Sequence, residues 1–412
     1  MMAGDGRGRL TVVSHPAVVD ANQAPYLELE RFGWDVTIIT PARWRSEWGQ
    51  LQPTRLEGLR GALRPLPVRL SGSIPLHHYS GLALRQALCA ARPDVVYVEE
   101  EPYSWAAYQV GRLARAMRVP FVFYSAQNIE RHYPWPFAAR ERWVLAHAAA
   151  ALPITAEVSE VLRRKGCTCA IQEVPLWVRP QAVSEDQRAA IRARAGGADR
   201  FVVGFAGRLV AQKGLDILLA ACERAQLADL ALLVAGIGPL EEVLRARGAT
   251  WAESRPGAMP RMCLLGRVPH GAMAPVFATM DALVLPSVET ARSREQFGRV
   301  LVEAALHGCA LIGTDVGWIP RLLQDLGGVC VPQGDPAALA EALIRVRAEI
   351  RSGTGAALAA TRRRRAERYT VARVASQFDA VFCAAVEAGH GEGNPLWAPL
   401  GVAAGGGFDR GT

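Results

Sequence analysis

The 412-residue chain contains no apolar run of the ~18 to 20 residues that a membrane-spanning helix requires. Its longest Ala-rich candidate, residues 144–155, is too short and is interrupted by His147 and Pro153. No secretory leader is expected either. Met1-Met2-Ala3-Gly4-Asp5-Gly6-Arg7 passes to a strand-like segment at Leu10 without an apolar stretch or a small-residue cleavage site. A cytoplasmic protein is therefore expected, with peripheral contact at the inner face of the cell membrane as an option. The eight cysteines include no C-x-x-C pair, and Cys167-x-Cys169 has no second Cys/His pair at ligand spacing nearby. Neither disulfides nor a zinc site are expected, and no metal-binding residues are assigned. No nucleic-acid-binding motif accompanies the positive charge, which excludes nucleic acid as the favoured partner.

What is present describes a globular protein: half the residues are hydrophobic and 21% are charged. The length is comfortable for two cores and too great for one ordinary core. A formal charge of +8 suits anionic lipid headgroups or a polyanionic small substrate. Residues 43–69 concentrate it, with Arg43, Arg45, Arg55, Arg60, Arg64 and Arg69 among Trp44, Trp48 and several leucines. That segment reads as a solvated loop and helix face or, more sharply, as an amphipathic patch resting on an anionic membrane.

Short apolar strands alternate with amphipathic helices along most of the chain, the pattern of parallel sheets covered on both faces. Strands are expected at residues 10–14, 35–40, 94–98, 121–124 and 151–155, with helices at 26–32 and 82–91. Polar residues 179–200 read as a linker. The alternation then restarts, with strands at 201–205, 230–235, 262–265, 282–285, 310–313 and 328–331. Helices are expected at 215–225, 239–247, 299–307, 336–351 and 371–387. This gives an α/β protein with domains at 1–178 and 179–387, the last helix being free to cross back to the first domain. Residues 388–412, with Gly405-Gly406-Gly407, read as a flexible tail. Two open sheets facing each other place a ligand cleft outside the carboxyl ends of their strands.

Two stretches carry chemistry. In Gly204-Phe205-Ala206-Gly207-Arg208-Leu209-Val210-Ala211-Gln212-Lys213-Gly214-Leu215, a strand ends at a glycine and a helix follows a short loop. Backbone N–H groups, the helix dipole, Arg208 and Lys213 together make an anion site, although the spacing is not that of a Walker loop. The second stretch is Pro286-Ser287 followed by Glu295-Gln296-Phe297-Gly298-Arg299-Val300-Leu301-Val302-Glu303-Ala304. Two carboxylates can each accept hydrogen bonds from a vicinal diol, so Glu295 and Glu303 suit a hexose and a ribose. Glu303 sits among Val300, Leu301, Val302, Ala304 and Ala305, an apolar setting in which a charge needs a reason.

The Glu295-x7-Glu303 pair, in its Pro-Ser … Phe-Gly … Glu-Ala context, resembles the motif of retaining GT-B glycosyltransferases of family 4. Gly207-Arg208-Leu209 with Lys213-Gly214 looks like that family's phosphate loop, and Gly266-Arg267-Val268 like the segment that holds the nucleobase. Glu101-Pro102 is similar to a loop of the amino-terminal domain in relatives. The resemblance implies a GT-B fold of two Rossmann-like domains facing a central cleft. It implies transfer of a hexosyl group from a UDP- or GDP-sugar, with retention, to a glycan, lipid-linked or small-molecule acceptor, in cell-surface polysaccharide or glycolipid assembly.

On that resemblance, Arg208, Lys213 and Glu295 are catalytic: the cations stabilise the departing diphosphate and Glu295 holds the donor sugar. Donor contacts extend to Gly207, Arg267, Val268, Gln296, Phe297 and Gly298, and Glu303 grips the ribose. The acceptor side is assigned to His15, Asn22, Glu101, Gln127 and Asn128. The nucleotide-sugar is a co-substrate, no further cofactor is implied, and cations take the place of a metal. No carboxylate nucleophile for a double displacement is evident, so a same-face substitution is expected.

The chain departs from the family in places. The first loop reads Ser14-His15-Pro16-Ala17 without the usual glycine pair, and Ser125-Ala126-Gln127-Asn128 stands where relatives carry a histidine. Gly317-Trp318-Ile319-Pro320 leads into Arg321 rather than glutamate, and residues 289–294, with Arg292 and Arg294, form an insertion. Two alternatives stand beside this reading: a non-hydrolysing nucleotide-sugar epimerase, and a catalytically silent subunit that docks on a membrane.

Overall fold

Strands of this chain are apolar on both faces, and burial follows from that. Leu10, Val12 and Val13 in the first strand and Leu230, Ala231, Leu232 and Leu233 in a later one are completely shielded from solvent. Such strands satisfy their backbone only inside a parallel sheet with helices above and below. The structure, a computed structural model, describes residues 6–46, 49–253, 261–291 and 293–390. It divides into two compact units, Met1–Pro175 with Val371–Thr412, and Leu176–Thr370.

The large sheet of the first unit contains β1 (Gly8–Ser14), β2 (Trp34–Pro41), β3 (Ala62–Leu66), β4 (Val95–Glu99), β5 (Phe121–Ser125), β6 (Ala150–Pro153) and β7 (Ala170–Ile171). Every neighbouring pair is parallel, in the order β3-β2-β1-β4-β5-β6-β7. The chain grows outward from β1 on one side and then returns to its other side with β4. The loops leaving β1 and β4 therefore run in opposite directions and open a crevice at the carboxyl ends of the strands.

In the second unit the sheet is built from β8 (Phe201–Ala206), β9 (Leu230–Ala235), β10 (Arg261–Gly266), β11 (Ala282–Leu285), β12 (Ala310–Thr314) and β13 (Val329–Val331). Its order is β10-β9-β8-β11-β12-β13, again parallel throughout. Here the switch lies between β8 and β11. The helices Leu215–Ala225 and Pro336–Arg351 close one face, burying Leu218, Leu219 and Cys222 with Leu339, Leu343 and Val346. Two Rossmann-like α/β units of this kind make a GT-B fold.

The last helix, Val371–His390, groups with the first unit. Phe378 and Phe382 lie 5.5 and 5.4 Å from the ring of Tyr97 in β4, and the Trp34 indole donates to Asp379 Oδ1 at 2.8 Å. This helix runs three residues beyond the expected 387, and residues 391–412 of the expected tail lie outside the described residues. No helix among the described residues is long and apolar enough to cross a membrane.

Two expectations are corrected. Residues 179–200 are not a plain linker, because they hold the helix Glu185–Arg194. Ser184 and Gln187 form a reciprocal capping box at its start. Near its end Arg192 bonds Asp281 Oδ2 at 3.0 Å and the carbonyls of Thr279, Ala198 and Arg200. Residues 43–69 are not a helix face either. They supply β3 and parts of two small antiparallel ribbons, Trp44–Ser46 with Gly49–Leu51 and Val68–Arg69 with His78–Tyr79. Trp48 lies outside the described residues.

Candidate functional site

In the second unit the loops leaving β8 and β11 meet. Gly214, with φ +64°, has no room for a side chain, since a Cβ there would stand 1.9 Å from the carbonyl oxygen of Pro286. The Val288 amide donates to the Gln212 carbonyl at 2.9 Å and pins the same two loops together. A second glycine-dependent approach brings in the loop after β9: a Cβ on Gly236 would meet the Gly207 carbonyl oxygen at 1.8 Å. Close backbone packing of this kind holds the 207–214 loop at the switch point, just ahead of the N-terminus of the helix Leu215–Ala225, an end that favours an anion.

Lys213 and Glu295 come together there. Their Nζ and Oε2 atoms are 2.5 Å apart, and Ser287 Oγ donates to the same carboxylate oxygen at 3.0 Å. The Ser287 carbonyl in turn accepts from Thr314 Oγ1 at 2.6 Å, which ties β11 to β12 beneath the pair. Glu295 is positioned from behind as well: a Cβ on Gly317 would lie 2.1 Å from its carbonyl oxygen. Gly298 at φ +84° then opens the helix Arg299–Leu306. The Phe297 side chain is buried against the Tyr369 ring at 5.8 Å, so only its backbone faces the loop side.

Glu303 belongs to a separate group on that helix. His270 Nε2 lies 3.2 Å and Arg299 Nε 3.5 Å from its Oε1. Glu303 and His270 line a shallow pocket with Arg179, Phe277 and His307. Arg208 and Arg267 are exposed at the ends of the β8 and β10 loops, and Gln296 is exposed beside Glu295. In the insertion, Arg294 pairs with Glu289 and a bridge between Thr290 and Ser293 closes the turn; Arg292 lies outside the described residues.

The first unit has its own concentration of charge, and most of it was not expected. Three consecutive glutamates, the last residue of β4 and the two that follow it, diverge to three sets of partners. Glu99 accepts from Ser14 Oγ at 2.5 Å and Tyr26 Oη at 2.6 Å. Glu100 accepts from the His15 amide at 2.9 Å and lies 2.7 Å from His15 Nδ1 and 3.3 Å from His77 Nε2. Glu101 accepts from the Ala126 amide at 2.8 Å and Ser125 Oγ at 2.9 Å. Trp44 packs on both imidazoles, with ring centroids 4.6 and 4.9 Å away.

Of the acceptor-side residues, His15 thus joins Glu100, whereas Glu101 reaches the loop after β5. Asn22 donates to the Pro16 carbonyl at 2.8 Å and Gln127 to the Ile129 carbonyl at 2.7 Å, each within its own loop. Asn128 approaches Glu157 at 3.4 Å. Among the aromatics considered for stacking, Trp135 is open to solvent, while Trp143 is packed against Tyr108, Phe121 and His147.

Burial and partners split the titration of these carboxyls. Burial pushes Glu101 up to about 7, more than the Ala126 amide and Ser125 hydroxyl can offset. Burial also works against the Glu100 carboxylate, but His15 and His77 outweigh it and hold the group at about 2. A raised carboxyl keeps a proton in the folded state that the unfolded chain has already released, so its contribution to stability declines as pH rises from about 4.5 to about 7. Glu101→Gln is expected to flatten this decline. Urea midpoints at about pH 5 and about pH 8 check it, and equal pH slopes for the two proteins contradict the assignment. Glu100 works in the opposite sense, its contribution being lost as pH falls from about 4.5 to about 2.

Comparison with known proteins meets this geometry. Residues 26–177 match the family model described as a glycosyl transferase 4-like domain, and residues 200–349 match the one described as glycosyl transferases group 1. The chain is 26% identical over 313 residues to the 2-deoxystreptamine N-acetyl-D-glucosaminyltransferase of Streptomyces fradiae, covering 70% of this chain and 72% of that one. It is 24% identical over 343 residues to a putative teichuronic acid biosynthesis glycosyltransferase, TuaC, of Bacillus subtilis, covering 77% and 82%. Among solved structures, Anabaena Alr3699/HepE in complex with UDP superposes with a TM-score of 0.67 at 16% identity, over 90% of this chain and 98% of that one. With both halves matched in order, the chain belongs to the group 1 glycosyltransferases of GT-B fold and is a transferase of glycosyl groups.

Proposed function

We propose that the protein transfers a hexosyl group, with retention, from a UDP- or GDP-sugar to a hydroxylated acceptor. The observation that carries this reading is the convergence of Lys213, Glu295 and Ser287 where the β8 and β11 loops meet. A nucleoside diphosphate leaving group carries its charge to the loop at 207–214, where Lys213, Arg208 and backbone amides stabilise it. When the donor enters, the Lys213 ammonium turns from Glu295 to the diphosphate, and the freed carboxylate accepts from the hydroxyls of the transferred sugar. Glu303 binds the ribose diol, and backbone at Val268 meets the base. The bond from the anomeric carbon to the diphosphate breaks as the acceptor oxygen bonds from the same face, and the acceptor proton leaves on the diphosphate oxygen. Fixed cations do the work of a metal in this scheme, so donor turnover needs none.

For the acceptor we favour a growing polysaccharide or glycolipid, in line with the teichuronic acid relative, made by a cytoplasmic protein that touches the inner membrane face through its arginines. Arg43 and Arg45 line an open groove of about 950 Å³ with Ser71, Ser73 and Leu70, which suits an anionic headgroup. A second reading, a small polyhydroxylated acceptor, is favoured by the relative named for 2-deoxystreptamine.

A thermal-shift screen against UDP-, GDP-, ADP- and TDP-sugars, with and without Mg²⁺, tests the donor assignment. Stabilisation by one nucleotide series, independent of metal and lost in Arg208→Ala, is expected, because a ligand bound only by the native state raises the melting temperature. No shift with any of the four contradicts it and favours the silent docking subunit.

A further inference from the structure

His77 is completely buried, and its ring is held by the backbone: Nδ1 lies 3.1 Å from the Ser73 carbonyl oxygen and 3.2 Å from that of Ile74. Two acceptors at one nitrogen put the ring proton on Nδ1. The other nitrogen, Nε2, then presents a lone pair, and it is a buried polar atom without a hydrogen-bond partner. With the ring neutral, that lone pair faces Glu100 Oε1 at 3.3 Å, an electron-rich atom that already accepts from the His15 amide at 2.9 Å. Across the same carboxylate, His15 Nδ1 stands 2.7 Å from Oε2. Three donor atoms, two imidazole nitrogens and one carboxylate oxygen, all lie within 4.8 Å of one another.

We propose that His15, His77 and Glu100 hold a divalent transition metal ion of the zinc or cobalt kind. A cation among these atoms removes the repulsion between the Nε2 lone pair and the carboxylate. An imidazole that donates its far N–H to a backbone carbonyl is oriented as metal-bound histidines are, with the tautomer fixed and the ligating nitrogen more basic. Two neutral imidazoles with one carboxylate form a borderline ligand set suited to zinc, and three protein ligands leave a coordination position open. The open position is reached from the side of His15, whose side chain retains 18% exposure while those of His77 and Glu100 have none. Water or a hydroxyl of a small ligand completes the shell there. Trp44, packed on both rings, supplies the apolar wall that keeps them from turning.

The fold makes this site where a parallel sheet makes crevices, since His15 leaves β1 and Glu100 leaves β4 at the switch between them. His77 enters from the loop that joins Val68–Arg69 to His78–Tyr79 in their short ribbon. All three ligands belong to the first unit, so the site does not depend on the donor loops or on the proposed transfer. It reverses the expectation of no metal drawn from cysteine spacing, which looked for thiol ligands and passed over a His/His/Glu set dispersed between His15 and Glu100 in the sequence.

Titration of the metal-stripped full-length protein with Co²⁺, followed by visible absorption, tests this. One equivalent is expected to bind and to give the intense ligand-field bands of a low-coordinate site, displaced by one equivalent of Zn²⁺. Loss of a group that only orients a ligand already costs about 10- to 100-fold in affinity, so His77→Ala, which removes a ligand, is expected to weaken binding at least that much. Because His77 is buried, the partly exposed His15→Asn provides a second variant, with circular dichroism to verify folding. The double variant Cys167→Ser, Cys169→Ser is expected to bind as wild type does. Binding that disappears in the cysteine variant instead, or that survives both histidine changes, overturns the proposal. So does the absence of stoichiometric Co²⁺ binding together with an imidazolium ¹⁵N signature for His77, which would mean that a proton fills the gap.

Discussion

Lys213→Ala is expected to lower kcat by about 10²- to 10³-fold, the cost of removing one preorganised donor from a site where charge develops in the transition state. The prediction rests on Lys213 meeting Glu295 at 2.5 Å in the resting site, held at the β8–β11 switch by Ser287 and by the packing of Gly214 on Pro286. A lysine kept there only for stability would show a different pattern. Its loss would remove a cation from the partly buried Glu295 carboxylate and lower the melting temperature, with turnover of the surviving folded enzyme unchanged. The two are separated by measuring donor consumption under saturating donor alongside thermal unfolding. Lys213→Arg, which keeps the charge but changes the shape of the donor, is expected to recover part of the rate. Near-wild-type turnover in Lys213→Ala contradicts the catalytic assignment.

Gly214→Ala is the second large effect, and it acts through the backbone. Two costs combine: a left-handed φ of +64° for a residue with a Cβ, and a Cβ placed 1.9 Å from the Pro286 carbonyl oxygen. Left-handed backbone alone costs roughly 1 to 2 kcal/mol. Gly334 isolates that part, since it lies in the same unit at φ +74° and a Cβ there would meet nothing within 4 Å. Gly334→Ala is therefore expected to lose about 1 kcal/mol and Gly214→Ala about 3 kcal/mol or more, because relief of the collision forces the two loops apart. Urea denaturation of the two variants checks the difference. Donor binding carries the same information, since parting the loops separates Lys213 from Glu295. Equal losses in the two variants would mean that the loops yield without cost and are not held as described.

Much of the fold was legible because its strands are short, apolar and separated by amphipathic helices. Residues 230–235 and 282–285 were expected as strands and are strands with those bounds. β3 escaped because Ala62–Leu66 contains Arg64 and Pro65 and runs along the edge of its sheet, half exposed, with little apolar signal. The helix Glu185–Arg194 escaped because none of its residues is fully buried; its support is a capping box and the reach of Arg192, neither of which shows in periodicity.

The site divides in the same way. Lys213, Glu295 and Glu303 stood out by their spacing and apolar neighbours. A compositional signal also pointed to Lys213: of the 47 lysines and arginines, only Lys165 and Lys213 are lysine. Each of them reaches a glutamate, Lys165 meeting Glu141 at 2.7 Å. Glu100 and His77 were missed for a physical reason. They meet His15 only because β4 lies beside β1 and the loop of the 68–79 ribbon brings His77 against Glu100 and His15, and no local pattern encodes that contact. The run Glu99-Glu100-Glu101 was the available sign, since three adjacent carboxylates at the end of a buried strand cannot all be solvated.

The central claim is that the second unit reads a nucleotide-sugar in two parts, ribose by Glu303 on the helix Arg299–Leu306 and transferred sugar by Glu295 in the loop before it. Calorimetric titration of wild type, Glu303→Ala and Glu295→Ala, each with the nucleoside diphosphate and with the matching nucleotide-sugar in the presence of a chelator, tests it most directly. Glu303→Ala is expected to weaken both ligands. Glu295→Ala is expected to leave the nucleoside diphosphate bound at wild-type strength and to abolish the added affinity contributed by the sugar. If both variants bind both ligands as wild type does, the two glutamates are not the donor site and the account of this protein as a nucleotide-sugar transferase through these loops is contradicted.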